Sequence, residues 1–127
     1  MEDEQIVQFM AALKEVKAGK NVFCVASVDL AHVGPAFDSE YKMDDARWEA
    51  LAAVDERLQQ AIVDGDAESW YQQLAEIRNE NNVCGFSPTY LMLKFMEESR
   101  GYKIAYSQCP ADARNTSTVS ICGMLLE

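Results

Sequence analysis

Apolar residues recur at helical spacing in four segments of the chain, and polar or glycine-containing breaks separate these segments. The predicted helices cover residues 3–17, the stretch from Asp44 or Asp45 to about Val63, a stretch capped by Asp66 that contains Ile77, and a stretch from Ser87 to Gly101. Gly19 lies just past the first helix, where a glycine commonly ends one. Ser87 is the expected N-cap of the fourth helix, with Pro88 at its first position.

Three other segments lack the helical period and are predicted strands. Val22–Val28 is apolar on both faces, which is typical of a buried strand of parallel type. Two further strands are predicted near Lys103–Ser107 and Thr118–Leu126, with a turn over Pro110–Asn115 between them. We therefore expect an α/β fold in a single domain over residues 1–127, with about four helices flanking a small mixed sheet.

The acidic composition disfavours several classes of partner. A formal net charge of −10 over 127 residues repels phosphate backbones and anionic lipid surfaces, so neither nucleic acid nor a membrane is an expected partner. The first residues are acidic rather than basic, as a signal peptide would require, and no apolar run is long enough to span a bilayer. We expect a cytoplasmic protein whose four cysteines are reduced.

Asp29 and His32 form the first candidate site. Asp29 follows the predicted buried strand, at the end where ligands gather in open α/β sheets. His32 is the only histidine, and a carboxylate three positions away could orient its ring for metal binding or proton transfer. The spacing is short, so an alternative stays open, in which His32 packs in a turn and Asp29 caps a backbone amide.

Cys84 is the second candidate. It precedes the predicted fourth helix by a few residues, a location that favours the thiolate, the form that binds metals and attacks carbonyl groups. Gly85 would allow another backbone segment to approach closely. The alternative is an inert cysteine in a loop that packs beneath the helix.

Asp55 is the third candidate, because it lies on the apolar stripe of the second helix between Leu51 and Leu58. A carboxylate that faces the core must be hydrogen-bonded or paired. It is therefore either a group that positions the Asp29 turn or the Cys84 loop, or a structural carboxylate that bonds backbone amides.

Three segments, taken in order, resemble the Memo family, also called AmmeMemoRadiSam system protein B. Val25–Gly34 is similar to the family's S-D-L-x-H-x-G motif, Val83–Pro88 to its I-C-G-x-x-P motif, and Ala105–Ser120 to its L-x-Y…S-V-S ending. Asp55 falls where the family has an aspartate in a helix. The resemblance covers nearly the whole chain and corresponds to the C-terminal half of a Memo-like protein.

The resemblance implies a fold like that of class III extradiol dioxygenases, which are non-heme iron enzymes that open aromatic rings. It implies a pocket in which the cysteine matching Cys84 is a metal ligand beside histidines from the N-terminal half. Asp29 and His32 would then be the acid/base pair, acting on a small-molecule substrate that the resemblance does not identify. Iron or copper would be the cofactor of a complete family member, and we expect no tightly bound metal in this chain alone, because it has one histidine.

Three hypotheses for function follow. The chain contributes half of a metal or redox pocket, with no reaction assigned; or it is a module that binds a protein or peptide without catalysis; or it is a thiol enzyme with Cys84 as nucleophile and His32 as base. In each case we expect Asp29, His32 and Cys84 to converge. Half of a domain leaves a sheet face or edge uncovered, so we also expect a homo-oligomer or pairing with the missing N-terminal half.

Overall fold

The computed structural model describes residues 3–127, so the first two residues of the expected domain lie outside the described part. Its elements in chain order are α1 (Glu4–Lys17), β1 (His32–Val33), a short 3-10 helix (Pro35–Phe37), α2 (Asp45–Val63), α3 (Ala67–Glu76), α4 (Phe86–Phe95), β2 (Gly101–Pro110) and β3 (Thr118–Leu126). The expected α/β class, with about four helices around a small sheet, is confirmed. Within these residues, no helix combines the length and the apolar character needed to cross a membrane.

Aspartate side chains begin the first three helices. The carboxylates of Asp3, Asp44 and Asp66 each accept a hydrogen bond from a backbone N–H in the first helical turn, which satisfies one of the donors that a helix start leaves free. Asp44 is thus the cap of α2, and Asp45 is its first residue. The caps that the sequence predicts for α2 and α3 are confirmed.

The predicted ends of the fourth helix are wrong. The Phe86 N–H bonds to the Val83 carbonyl, so the chain turns early and α4 begins at Phe86, which leaves Ser87 inside the first turn. Helix α4 ends at Phe95, because Glu98 takes a left-handed conformation (φ 63°) that redirects the backbone. Gly101, the expected end of the helix, is instead the first residue of β2.

The three strands lie in the order β1-β3-β2, and both pairings are antiparallel. The described sheet is therefore antiparallel rather than mixed as the sequence predicts, because the expected parallel-type strand at Val22–Val28 does not join it. One face of the sheet packs on helices α2–α4. The buried centre of this layer contains Leu58, Trp70 and Leu74, and the side chains of Cys122 and Met124 on β3 pack against it. The expected turn between the last two strands is present, where the Asp112 carboxylate accepts hydrogen bonds from residues 114 and 116.

The prediction of a buried strand over Val22–Val28 is wrong. Pairing with β3 reaches back only as far as Leu30, whose N–H donates to the Ser120 carbonyl. Upstream of that point the chain leaves β3, and the side chains of Phe23 and Val25 are 86% and 67% exposed. A cleft of about 330 Å³ separates the segment from β3. The segment has the composition of a buried strand but no neighbouring strand within residues 3–127.

Gly34 and Gly19 give a matched test of the contact between the residues after β1 and the start of β3. Both have positive φ, but a Cβ at Gly34 would lie 2.5 Å from Ser117 Cα, whereas a Cβ at Gly19 would meet nothing within 4 Å. We expect Gly34→Ala to lower the free energy of unfolding by about 3 kcal/mol or more, since backbone strain and overlap each cost about 1–3 kcal/mol. Gly19→Ala should cost only about 1–2 kcal/mol.

Urea denaturation of the two variants measures this difference. Equal losses at the two positions would contradict the close packing of Gly34 on Ser117.

Candidate functional site

The structure brings Asp29, His32 and Cys84 together. One ligand atom from each side chain can be chosen so that all three lie within 4.8 Å of one another. Asp29 Oδ2 is 3.5 Å from His32 Nε2, and the His32 side chain is 20% exposed against 49% for that of Asp29. Their expected convergence is confirmed, whereas the chemical role of each residue stays a prediction.

Backbone contacts join the Cys84 loop to the Asp29 turn. The Asp29 N–H donates to Cys84 Sγ at 3.2 Å, and the Gly85 N–H donates to the Asp29 carbonyl at 3.3 Å. A Cβ at Gly85 would lie 2.8 Å from Val28 Cγ2 and 3.0 Å from the Asp29 carbonyl oxygen. Only glycine therefore allows this approach, as the sequence predicts.

Two consecutive asparagines hold His32. The His32 N–H donates to the Asn81 carbonyl at 2.8 Å, and the Asn82 Nδ2 group donates to the His32 carbonyl at 3.1 Å. The His32 ring places Nδ1 3.1 Å from the Asn82 carbonyl oxygen. Because a carbonyl oxygen only accepts hydrogen bonds, Nδ1 carries the ring proton in the neutral histidine.

This tautomer decides what His32 can do. With Nδ1 protonated, the Nε2 lone pair faces the Asp29 carboxylate, and two acceptors 3.5 Å apart attract a cation between them. A proton on Nε2 would fill that role by forming an ion pair, and a metal ion would fill it by binding both groups. The Sγ of Cys84, which already accepts the Asp29 N–H, offers a third donor atom on the same ion.

Asp55 lies outside the cluster, on α2. Its side chain is fully buried, and the Tyr106 hydroxyl donates to Oδ2 at 2.8 Å, whereas Oδ1 has no hydrogen-bond partner among the described residues. Burial raises the pKa of Asp55 above its usual range, while the nearby Ser120 and Tyr106 hydroxyls oppose that shift. The Ser120 Oγ accepts the Ala31 N–H at 2.9 Å. Asp55 thus lies beside a serine that holds the turn containing Asp29 and His32, and its own hydrogen bond comes from a side-chain hydroxyl rather than from a backbone amide.

Burial affects two neighbours of Asp55 in the same way. The pKa of Tyr106 is raised by desolvation and by its hydrogen bond to the Asp55 carboxylate. The pKa of Cys122 is raised by desolvation and by the negative charge of Asp55. Tyr106 and Cys122 therefore stay protonated near Asp55, which makes Tyr106 a hydrogen-bond donor to the carboxylate.

Sequence reasoning missed Asn82 and Ser120 as parts of the site. The only local signal for Asn82 is the polar run before Cys84, in which Arg78, Asn79 and Asn82 all take positive φ in the structure. Asparagine tolerates that conformation better than most residues. Nothing in the sequence near Ser120 indicates its contact with Ala31, because the contact joins the residue before β1 to a residue of β3 that lies 89 positions away.

Comparison with known proteins identifies a family for this chain. A family model described as Memo-like protein matches residues 1–125 of the chain. No curated protein matches it at a significant level.

Asp55→Asn tests the buried carboxylate through the pH dependence of stability. Burial raises the pKa of Asp55 in the folded chain above 3.8, its value in the unfolded chain. Between these two pKa values the folded chain binds more protons than the unfolded chain, so the free energy of unfolding falls as pH rises through that range. We expect the free energy of unfolding of the wild type, minus that of Asp55→Asn, to decrease as pH rises from below 3.8 and to level off above the pKa of the folded state.

Urea unfolding of both proteins over this pH range checks the sign. A difference that does not change with pH, or that increases with pH, would show that Asp55 is not desolvated in the folded protein.

The tautomer of His32 can be measured directly, because the chain has no other histidine. Nitrogen-15 NMR at a pH where the ring is neutral should show Nδ1 protonated and Nε2 unprotonated, the reverse of the preference of free histidine. The physical reason is the hydrogen bond from Nδ1 to the Asn82 carbonyl. A neutral ring with its proton on Nε2 would remove the argument that Nε2 is free to act on Asp29 or on a metal ion.

Proposed function

The chain belongs to the Memo-like protein family, and on that premise we propose that Asp29, His32 and Cys84 form one wall of a metal-dependent redox pocket. The observation that carries the proposal is the convergence of a carboxylate, an imidazole and a thiol within 4.8 Å. These three donor types suit a transition ion such as iron or copper, which when bound would supply one-electron chemistry.

Cys84 is the metal ligand in this proposal. Its thiol is exposed, so an ion can reach it, and it lies at the start of α4. The Asp29 N–H donates to Sγ at 3.2 Å and holds the sulfur in place, and the deprotonated thiol is the form that binds metals. The close fit of Gly85 against Val28 and Asp29 fixes the position of the sulfur relative to the carboxylate.

His32 and Asp29 are the acid/base pair. The Asn82 carbonyl holds the ring proton on Nδ1, so Nε2 is the atom that takes up and releases a proton. The Asp29 carboxylate lies 3.5 Å from Nε2, where it can pair with a proton that the ring takes up. A substrate bound next to Cys84 would therefore meet a proton donor or acceptor on the same side of the pocket.

Three donor atoms are a small set for a tight transition-metal site, which usually has at least that many ligands in good geometry. A complete pocket therefore takes further ligands from outside these three residues. Their source would be the histidine-bearing N-terminal half that the family resemblance implies, or a partner chain. This chain by itself should bind an ion weakly.

The thiol-enzyme alternative has less support from the geometry. The Cys84 sulfur makes its hydrogen bonds with the backbone N–H and carbonyl of Asp29, and His32 Nε2 is directed to the Asp29 carboxylate. A nucleophilic cysteine would instead need its base hydrogen-bonded to the thiol. The rate of Cys84 alkylation as a function of pH separates the two, since only a thiol paired with His32 would lose reactivity in His32→Gln.

Cobalt(II) is a spectroscopic probe for the proposed ligand set. We expect wild-type protein to develop a near-ultraviolet thiolate-to-cobalt charge-transfer band that saturates only at high cobalt concentration. Cys84→Ser should lose the band, because the thiolate is removed. Asp29→Asn should keep it with an affinity about 10–100-fold lower, the usual cost of changing a group that orients a metal ligand.

Cys109→Ser is the matched control, since Cys109 lies on β2 outside the cluster of Asp29, His32 and Cys84 and should leave the band unchanged. A band that survives in Cys84→Ser would contradict the assignment of Cys84. Absence of the band in wild-type protein at every cobalt concentration would contradict the metal pocket itself.

A further inference from the structure

Three aromatic rings meet between α3 and α4, outside the candidate site. The ring centroid of Tyr71, on α3, is 5.5 Å from that of Phe86 and 5.8 Å from that of Tyr90, both on α4. The ring planes are inclined at 40° and 56°, so the rings are tilted rather than stacked flat. The buried Trp70 donates its ring N–H to the Phe86 carbonyl at 2.8 Å, which fixes the start of α4 beneath the rings.

These rings line a cavity of about 380 Å³ at the start of α1. This volume is in the usual range for small-molecule sites. Ile6 and Leu91 add aliphatic surface, and the carboxylate-bearing residues Asp3 and Glu68 complete most of the lining. Tyr71 is 48% exposed, so a ligand in water can reach the ring at the centre of the cluster.

The charged groups of the cavity are all acidic among the described residues. Asp3 and Glu68 line it, and no described lysine, arginine or histidine does. Glu68 Oε1 accepts a hydrogen bond from the Tyr90 hydroxyl at 3.2 Å, so one carboxylate is held directly beside one of the rings. Carboxylates and the faces of aromatic rings both attract positive charge, and here they share one cavity.

An ammonium group of the chain itself already lies at the rim of this cavity. Lys94 Nζ is 5.9 Å from the centre of the Tyr90 ring and 3.5 Å from Glu68 Oε1. Lys94 is not part of the cavity lining, whereas Tyr90 and Glu68 are. The same ring and carboxylate that border the cavity thus lie within range of a positively charged nitrogen.

We propose that this cavity binds a quaternary ammonium group, of the kind found in choline or in the side chain of trimethylated lysine. Such a group carries a positive charge behind a shell of methyl groups and has no N–H to donate, so aromatic rings hold it better than single acceptors do. An anion would be repelled by Asp3 and Glu68. An uncharged apolar ligand would cover the same two carboxylates without giving them a partner, which costs free energy.

An NMR titration compares choline with its neutral carbon isostere, in which a tert-butyl group replaces the trimethylammonium group. The two probes have the same shape and differ in charge. We expect choline to bind at least about tenfold more tightly, because each of three rings favours a cation over a neutral group. The titration is made with EDTA present, because the proposal does not depend on the metal pocket.

A short peptide with one trimethylated lysine, and the same peptide unmethylated, identify the source of the group. The unmethylated ammonium is more strongly hydrated, so we expect it to bind more weakly. Tighter binding of the methylated peptide than of choline would identify a protein side chain as the ligand, and the reverse order would identify a small molecule. Equal binding of choline and its isostere, or no saturable binding of either choline or the methylated peptide, would overturn the proposal.

Three substitutions locate the site and test the role of charge. Tyr71→Leu keeps an apolar side chain but removes the central ring, and should weaken choline binding by about two- to fivefold. Glu68→Gln should also weaken it, whereas Lys94→Met should strengthen it by removing a nearby positive charge. Tyr102→Leu is the matched control, because Tyr102 is 54% exposed on β2, outside the cavity, and should leave the affinity unchanged.

Circular dichroism checks that each variant is folded. Glu68 is exposed, so Glu68→Gln remains a test even if Tyr71→Leu folds poorly. Unchanged choline affinity in both Tyr71→Leu and Glu68→Gln would overturn the proposal, since choline would then bind elsewhere on the acidic surface.

Discussion

The attachment of residues 29–33 to β3 through Ser120 is the interaction on which the candidate site depends. The buried Ser120 accepts the Leu30 N–H with its carbonyl oxygen, donates its own N–H to the Ala31 carbonyl, and accepts the Ala31 N–H with its hydroxyl oxygen. These three bonds fix the two residues between Asp29 and His32. The directions of both side chains therefore follow from the position of β3.

Local features of the fold could be predicted from the sequence, because their causes are local. The carboxylates of Asp44 and Asp66 bond to amides three positions ahead, and the spacing of apolar residues identifies the helices that these caps begin. The prediction for the Val22–Val28 segment is wrong for the opposite reason, because the cause of burial lies outside the segment. Its composition predicts a buried strand, but burial depends on a neighbouring strand or chain, and residues 3–127 place none beside it.

In the candidate site, too, the features with local causes could be predicted and those that depend on distant residues could not. Asp29, His32 and Cys84 could be identified because their residue types carry chemistry and because strand ends and helix starts are common sites of binding. The tautomer of His32 could not be predicted, since it depends on a carbonyl group at Asn82, 50 positions away. Every residue has a carbonyl, so a sequence gives no sign of which one a histidine ring will meet.

Exclusion of water from the candidate site and occupation of the site by a cation should favour each other. Asp29 and Cys84 both have acidic side chains, and their ligand atoms lie within 4.8 Å of one another. In water, solvent screens the repulsion between two such groups when both are deprotonated. When a chain covers the site and excludes water, two uncompensated anions become costly, and the cluster needs a positive charge. A metal ion bound to Cys84 would supply that charge, and so would a proton on His32 Nε2. Because linkage between two binding events is reciprocal, a metal ion that prefers the covered cluster must also strengthen the contact that covers it.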